Sequence, residues 1–238
     1  MQGGGLPSHA RRKILPMSAK IKMGILAVVI TLGVTAGVAY RRYVYPTGKI
    51  LHDLYTVRTH NNGMPMGNFF LLQMGDKYVA FDAGGNSEET RSGLQRLGIS
   101  AADVIAVFVT HAHWDHIGSL DVFSDAVIYT GNTENSSFPD TPHRLMMDGE
   151  VTELFGRYIK CFYTPGHTID SVCFLVDGKY LFVGDLFITT NDSPFEARYN
   201  KELQLRYRKQ MLELDGVEHV FTGHFGLFSN PGYFRFRY

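Results

Sequence analysis

Short, almost wholly apolar runs alternate along this chain with breaks rich in glycine, proline and small polar residues, a pattern that predicts strands over most of its length. Val104-Ile105-Ala106-Val107-Phe108-Val109-Thr110 is uncharged and β-branched, which predicts a strand buried on both faces. Residues 50–57 and 68–74 read as strands, and Gly75-Asp76 turns the second of these into residues 77–82, a hairpin signature. Three further short strands, residues 158–163, 179–183 and 217–221, each run into a break containing glycine. Helical spacing is confined to two places. Residues 87–97 have Ser87 to cap them, Glu88 and Glu89 in the first turn and Gly98 past the end. Residues 200–214 carry Leu203, Tyr207, Met211 and Leu214 as a core stripe. Residues 131–148 are polar and loop-like, and are expected near the mouth of any site.

One run is of a different kind. Residues 23–40 are uncharged and apolar, bounded by Lys22 on one side and Arg41-Arg42 on the other. That is close to the roughly 20 residues needed to cross a bilayer. The expected organisation is a basic segment at 1–22, a transmembrane signal-anchor or signal peptide at 23–40, and one catalytic domain at 45–238. The slight excess of basic residues before the run places that domain on the extracytoplasmic side, membrane-anchored, or secreted if the run is cleaved.

Composition then narrows the chemistry. The 238 residues with 45% hydrophobic content suffice for one α/β or β-rich domain. Residues 1–42 contain seven Lys/Arg and no Asp/Glu, leaving 16 basic and 23 acidic residues beyond them, a net of −7. A polyanion is bound by neutralising its phosphates with Lys and Arg, so no nucleic-acid partner is expected; the partner is a small-molecule substrate. Cys161 and Cys173 lie within expected strands and read as buried thiols, with a disulfide between them left open.

The densest chemistry is His111-Ala112-His113-Trp114-Asp115-His116, directly after the buried strand. Imidazole and carboxylate are the protein donors that hold a hydrolytic metal while leaving a position open to water. Extended backbone would turn His111, His113 and Asp115 to one side, with His116 following as the chain bends. The other strands deliver single residues of the same kind: His167 after Thr164-Pro165-Gly166, Asp185 after Gly184, and His224 after Thr222-Gly223.

In this order the motifs resemble those of the metallo-β-lactamase-fold hydrolase superfamily, over roughly residues 50–230, and most nearly its glyoxalase II-like branch. The resemblance implies a four-layer αββα sandwich, here preceded by the N-terminal hydrophobic helix. It further implies that His111, His113 and His167 hold one metal, that Asp115, His116 and His224 hold a second, and that Asp185 bridges them. Asp82, in Phe81-Asp82-Ala83-Gly84-Gly85, would orient the site from behind the ligands, although an aspartate capping a turn fits the same residues. Trp114 is shared with many glyoxalase II-type members. Two Zn2+ are the implied cofactors, with Fe or Mn as alternatives.

From that ligand set comes an expected binuclear zinc metallo-hydrolase that uses a metal-bridging hydroxide, with Asp115 as the catalytic residue, to cleave a small ester, thioester or lactone. Phe187, Phe225, Tyr163 and Met147 are candidates to line its pocket. True β-lactamases of the fold generally lack the bridging Asp. The glutathione-gripping C-terminal region of glyoxalase II is not expected, and Phe187 and Ile188 stand where homoserine lactonases carry a substrate-contacting Tyr. A phosphodiesterase-type hydrolase, a mononuclear iron sulfur dioxygenase and a non-catalytic metal-binding membrane module remain as alternatives.

Overall fold

The structure, a computed structural model, describes residues 46–61, 64–131, 138–187, 198–224 and 226–228. Two β-sheets face one another. The first contains, in spatial order, β1 (Gly48–Lys49), β2 (Leu54–Asn61), β3 (Met64–Met74), β4 (Lys77–Phe81), β5 (Val104–Val109), β6 (Val127–Thr130) and β7 (His143–Leu145). The second has β8 (Val151–Leu154) at one edge, then β9 (Arg157–Tyr163), β10 (Val172–Val176), β11 (Tyr180–Gly184), β12 (His219–Thr222) and β13 (Gly226–Phe228). β4, β5, β6 and β7 run parallel, as do β11 and β12, while the remaining pairs are antiparallel.

Alternation along the strands builds the layers. Phe70, Leu72 and Met74 of β3 point into the space between the sheets, and Phe69 and Leu71 point to the outer face. The inter-sheet core is aromatic: Phe81 of the first sheet stacks on Phe182 of the second, centroids 3.6 Å apart and planes 4° from parallel. Outside the first sheet lies α1 (Ser87–Leu97); outside the second lies α3 (Lys201–Leu212), packed on Cys173, Leu181 and Val183 through Met211 and Leu212. With the short α2 (Trp114–Ile117) this makes an αββα-type sandwich.

Several local expectations change. The cap of α1 is Asn86, not Ser87: its side chain accepts from the Glu89 N–H, while Ser87 turns outward to Asp121. On α3 the buried positions are Gln204, Arg208, Met211 and Leu212, so the inward face lies about one position beyond the predicted stripe. The segment expected as a loop at 131–148 contributes β7, which pairs with β6; residues 132–137 lie outside the described residues.

The membrane-anchored topology is corrected. Residues 1–45, and with them the hydrophobic run, lie outside the described residues; among the described residues no helix is long and apolar enough to cross a membrane. The longest of them, α3, has 12 residues, about 18 Å at ~1.5 Å per residue against a hydrocarbon core of ~30 Å. The transmembrane helix, the membrane partner and the single-pass, membrane-anchored localisation have no counterpart among the described residues and are withdrawn.

The cysteines lie on neighbouring strands but on opposite faces. Cys161 is opposite Phe174 and Cys173 opposite Phe162, so one thiol enters the inter-sheet core and the other the layer beneath α3. That geometry rules out the disulfide. Burial pushes both thiols up to about 12. The native protein is expected to titrate no thiol with a disulfide reagent at pH 8 and two after denaturation; rapid reaction of either in the native state would contradict this.

Candidate metal centre

Five strand ends meet at one edge of the sandwich. β4 leads into Asp82, β5 into the His111–His116 segment, β9 into the turn bearing His167, β11 into Asp185 and β12 into His224. Backbone bonds tie the two sheets together here: the Val172 N–H donates to the Thr110 carbonyl at 2.8 Å, and the Asn68 N–H donates to that of Gly223. Gly223 is needed for close approach, since a Cβ there would lie 2.6 Å from His116 Cε1 and 2.7 Å from Asp185 Oδ1.

All seven side chains predicted as ligands come together, in two groups: His111, His113, His167 and Asp185, then Asp115, His116 and His224. In the first, His113 Nδ1 lies 3.0 Å from both His111 Nε2 and His167 Nε2. Asp185 Oδ2 is 3.4 Å from His167 Nε2 and 3.8 Å from His111 Nε2. In the second, Asp115 Oδ2 is 3.5 Å from His224 Nε2 and 3.9 Å from His116 Nε2. Asp185 also reaches this group, its Oδ2 3.1 Å from His224 Nε2 and its Oδ1 3.3 Å from His116 Nε2. Donors about 2.1 Å from a tetrahedral ion sit roughly 3.4 Å from one another. The observed separations bracket that value.

The donor chemistry agrees. His116 Nε2 and Asp185 Oδ1 are buried and, although 3.3 Å apart, make no well-aligned hydrogen bond, an expensive condition for polar atoms unless a cation supplies what is missing. Together the donors form a binuclear metal-binding cluster.

Proton positions are set from behind. Asp82 Oδ1 accepts the Thr110 N–H at 2.7 Å, and its Oδ2 accepts the Thr110 hydroxyl at 2.9 Å. Oδ2 also lies 2.7 Å from His116 Nδ1. With its hydroxyl committed to Asp82, Thr110 accepts from His111 Nδ1 at 3.1 Å. Both rings thus hold a proton on Nδ1 and turn Nε2 inward, the nitrogen that would be offered to a cation. Asp82 itself adopts the left-handed region, at φ 63, and these three bonds hold it there.

Electrostatics divides the imidazoles. Burial lowers His111 well below the ordinary range, assisted by the neighbouring His116. Burial brings His113 and His167 to about 4, with the charge of His167 adding to it at the first and that of His116 at the second. Burial opposes a charge on His116 as well, but Asp82 and Asp185 outweigh it and raise this ring. His224 is raised in the same way, chiefly by Asp185 against burial. Asp185 is held well below the carboxylate range: His224 and His116 overcome its burial.

Trp114 is 47% exposed beside the cluster. The predicted pocket lining separates: Phe187 is buried against α3, Tyr163 donates its hydroxyl to the Met146 carbonyl, Met147 is exposed, and Phe225 is outside the described residues. The sequence reading missed Thr110, and Asp170, whose buried carboxylate accepts the Ala112 N–H at 2.8 Å between two of the histidines. Neither has a local signal, since the Asp82 carboxylate that fixes Thr110 is 28 residues away and the Ala112 N–H that Asp170 accepts is 58 away. Asp82→Asn removes one of the acceptors that fix His116. It is expected to weaken cation binding about 10–100-fold, measurable by competitive metal titration; unchanged affinity would count against the role of this carboxylate.

The family model described as the metallo-beta-lactamase superfamily matches residues 63–224. A hydroxyacylglutathione hydrolase of Francisella philomiragia is 38% identical over 85 residues, covering 34% of this chain and 32% of that protein. Another, from Chromohalobacter salexigens, is 33% identical over 156 residues, 63% of this chain and 57% of that one. The chain thus spans between about a third and just over half of these curated relatives. A solved metallo-beta-lactamase family protein from Thermus thermophilus shares the fold at TM-score 0.63 and 21% identity, with 77% of each chain covered.

Proposed function

The chain belongs to the metallo-beta-lactamase superfamily, and from that premise we propose that it is a binuclear-metal hydrolase acting on a small ester, thioester or lactone. Its catalytic domain is taken as residues 45–238. We assign one cation to His111, His113 and His167, the other to Asp115, His116 and His224, and Asp185 to both. Zinc is the metal assigned to each position, because imidazole and carboxylate donors suit it. The observation that carries the reading is Asp185, a buried carboxylate within 3.1–3.8 Å of ring nitrogens from both groups.

When bound, two divalent cations bring the pKa of water toward neutrality and polarise a carbonyl oxygen. The residues of the chain provide the rest. Thr110 and Asp82 keep the His111 and His116 rings aimed inward, so the donor set is ordered before substrate arrives. Asp115, 7% exposed, offers a carboxylate oxygen that can accept a proton from attacking water and hold that water in line. His113 and His224 form the partly exposed rim through which substrate enters. Within the substrate class, the hydroxyacylglutathione hydrolases among the relatives favour an acyl thioester and a place in the glyoxalase II-like branch.

Metal analysis of the purified chain, combined with a panel of esters, thioesters, lactones and phosphodiesters, tests the proposal. Two cations per chain with turnover of a carboxylic or thioester bond are expected. A single iron with oxygen uptake, cleavage of phosphodiesters alone, or no turnover at full metal occupancy would overturn it.

A further inference from the structure

The inward face of α3 is polar where an apolar one would pack. Gln204 and Arg208, one turn apart, are each 2% exposed beside a cluster of Val183, Leu186, Phe187 and Met211. A buried amide or guanidinium is costly in such surroundings unless its hydrogen bonds are made. Here three of them are made to one short segment. Gln204 Nε2 donates to the carbonyls of Asp185 (3.3 Å) and Leu186 (3.2 Å), and Arg208 Nε donates to that of Leu186 at 2.6 Å. That segment is the 3-10 turn Asp185–Phe187, too short to satisfy these carbonyls itself.

The residues leading into the same helix grip the other turn. The N–H groups of Arg198, Tyr199 and Asn200 donate to the carbonyls of Gly166 and His167 at 2.8–3.2 Å. The helix backbone lies directly on Gly166, where a Cβ would come within 2.5 Å of Gln204 Cα. The helix and the residues leading into it therefore hold the main chain beneath both Asp185 and His167, which follow different strands of the second sheet.

We propose that α3 is the splint of the metal centre and that Gln204 is a positioning residue, acting on the shared carboxylate through the main chain of Asp185. The inference rests on the binuclear reading above. A helix present only for packing would be served as well or better by leucine at position 204. Leucine fits the surrounding cluster and carries no amide to desolvate.

The test uses the full chain titrated with Co2+ and Zn2+, comparing wild type, Gln204→Leu and Met211→Ala. Met211 is 4% exposed on the same helix and shares the apolar cluster, but its thioether donates no hydrogen bond, so it reports packing apart from the hold of the Gln204 amide on the Asp185 turn. Gln204→Leu is expected to bind the cations about 10–100-fold more weakly, to change the Co2+ ligand-field spectrum, and to recover turnover in excess metal. Met211→Ala is expected to lower Tm by roughly 5–10 °C with metal affinity and spectrum unchanged. If Gln204→Leu does not fold, Gln204→Asn, whose amide is too short to reach both carbonyls, is expected to show the same weakening. Unaltered affinity and spectrum in the Gln204 variants, or equal weakening in Met211→Ala, would overturn the proposal. Failure of the wild type to bind any cation would instead remove the binuclear reading beneath it.

Discussion

Asp185→Ala is expected to reduce the chain from two bound cations to one at most and to lower kcat by on the order of 10³-fold or more, some 4 kcal/mol of transition-state stabilisation. Four ring nitrogens lie within 3.1–3.8 Å of this carboxylate, from both donor groups. Removing it takes a donor from each group at once and leaves His116 and His224 without the charge that raises them. The remaining histidines of the first group, His111, His113 and His167, are still neutral, since burial holds all three below the ordinary range. A single, weaker cation is therefore expected to persist there. Metal content by elemental analysis, together with kcat at saturating substrate, measures both parts. Two tightly held cations in this variant would show that the carboxylate does not join the groups.

Asp115→Ala has the next largest expected effect, a loss of about 10²–10⁴-fold in turnover. Its side chain approaches His224 and His116 but, unlike Asp185, belongs to one group only. The variant removes a donor and the oxygen that can hold attacking water, while leaving the first group untouched. Asp115→Asn separates the two contributions: it keeps an oxygen in place but loses the charge and the capacity to take a proton. Excess metal should therefore restore occupancy in Asp115→Asn without restoring turnover. Near-normal kcat in either variant would show that Asp115 is not the catalytic residue.

How far the sequence reached differs from residue to residue. The strand β5 is legible because six consecutive apolar, mostly β-branched residues have no other comfortable state, and its end fixes where His111 emerges. The seven side chains that meet at the sheet edge were legible for a related reason: His and Asp at strand exits beside glycine are rare, and here they recur. The cap of α1 was misread by one position because Asn86 and Ser87 are both good caps, and only the extended backbone of Asn86 selects between them. On α3 the apolar spacing pointed to Leu203 and Tyr207. The surface it meets includes the carbonyls of a tight turn, and Gln204 and Arg208 satisfy these where leucine cannot.

The sequence by itself determined the alternation that makes two sheets, the places where the chain must turn, and the chemical kind of the site. Each of these is set by neighbours a few residues apart. Only the tertiary structure decided that Asp185 faces both donor groups, that Asp82 and Thr110 dictate which nitrogen of His116 and His111 carries the proton, and that α3 holds the turns of His167 and Asp185 together. Those outcomes depend on partners such as Asp82 and His116, 34 residues apart, or Asn68 and His224, 156 apart. Such pairs meet only after two sheets have packed at a particular register and distance, and no local periodicity records that register.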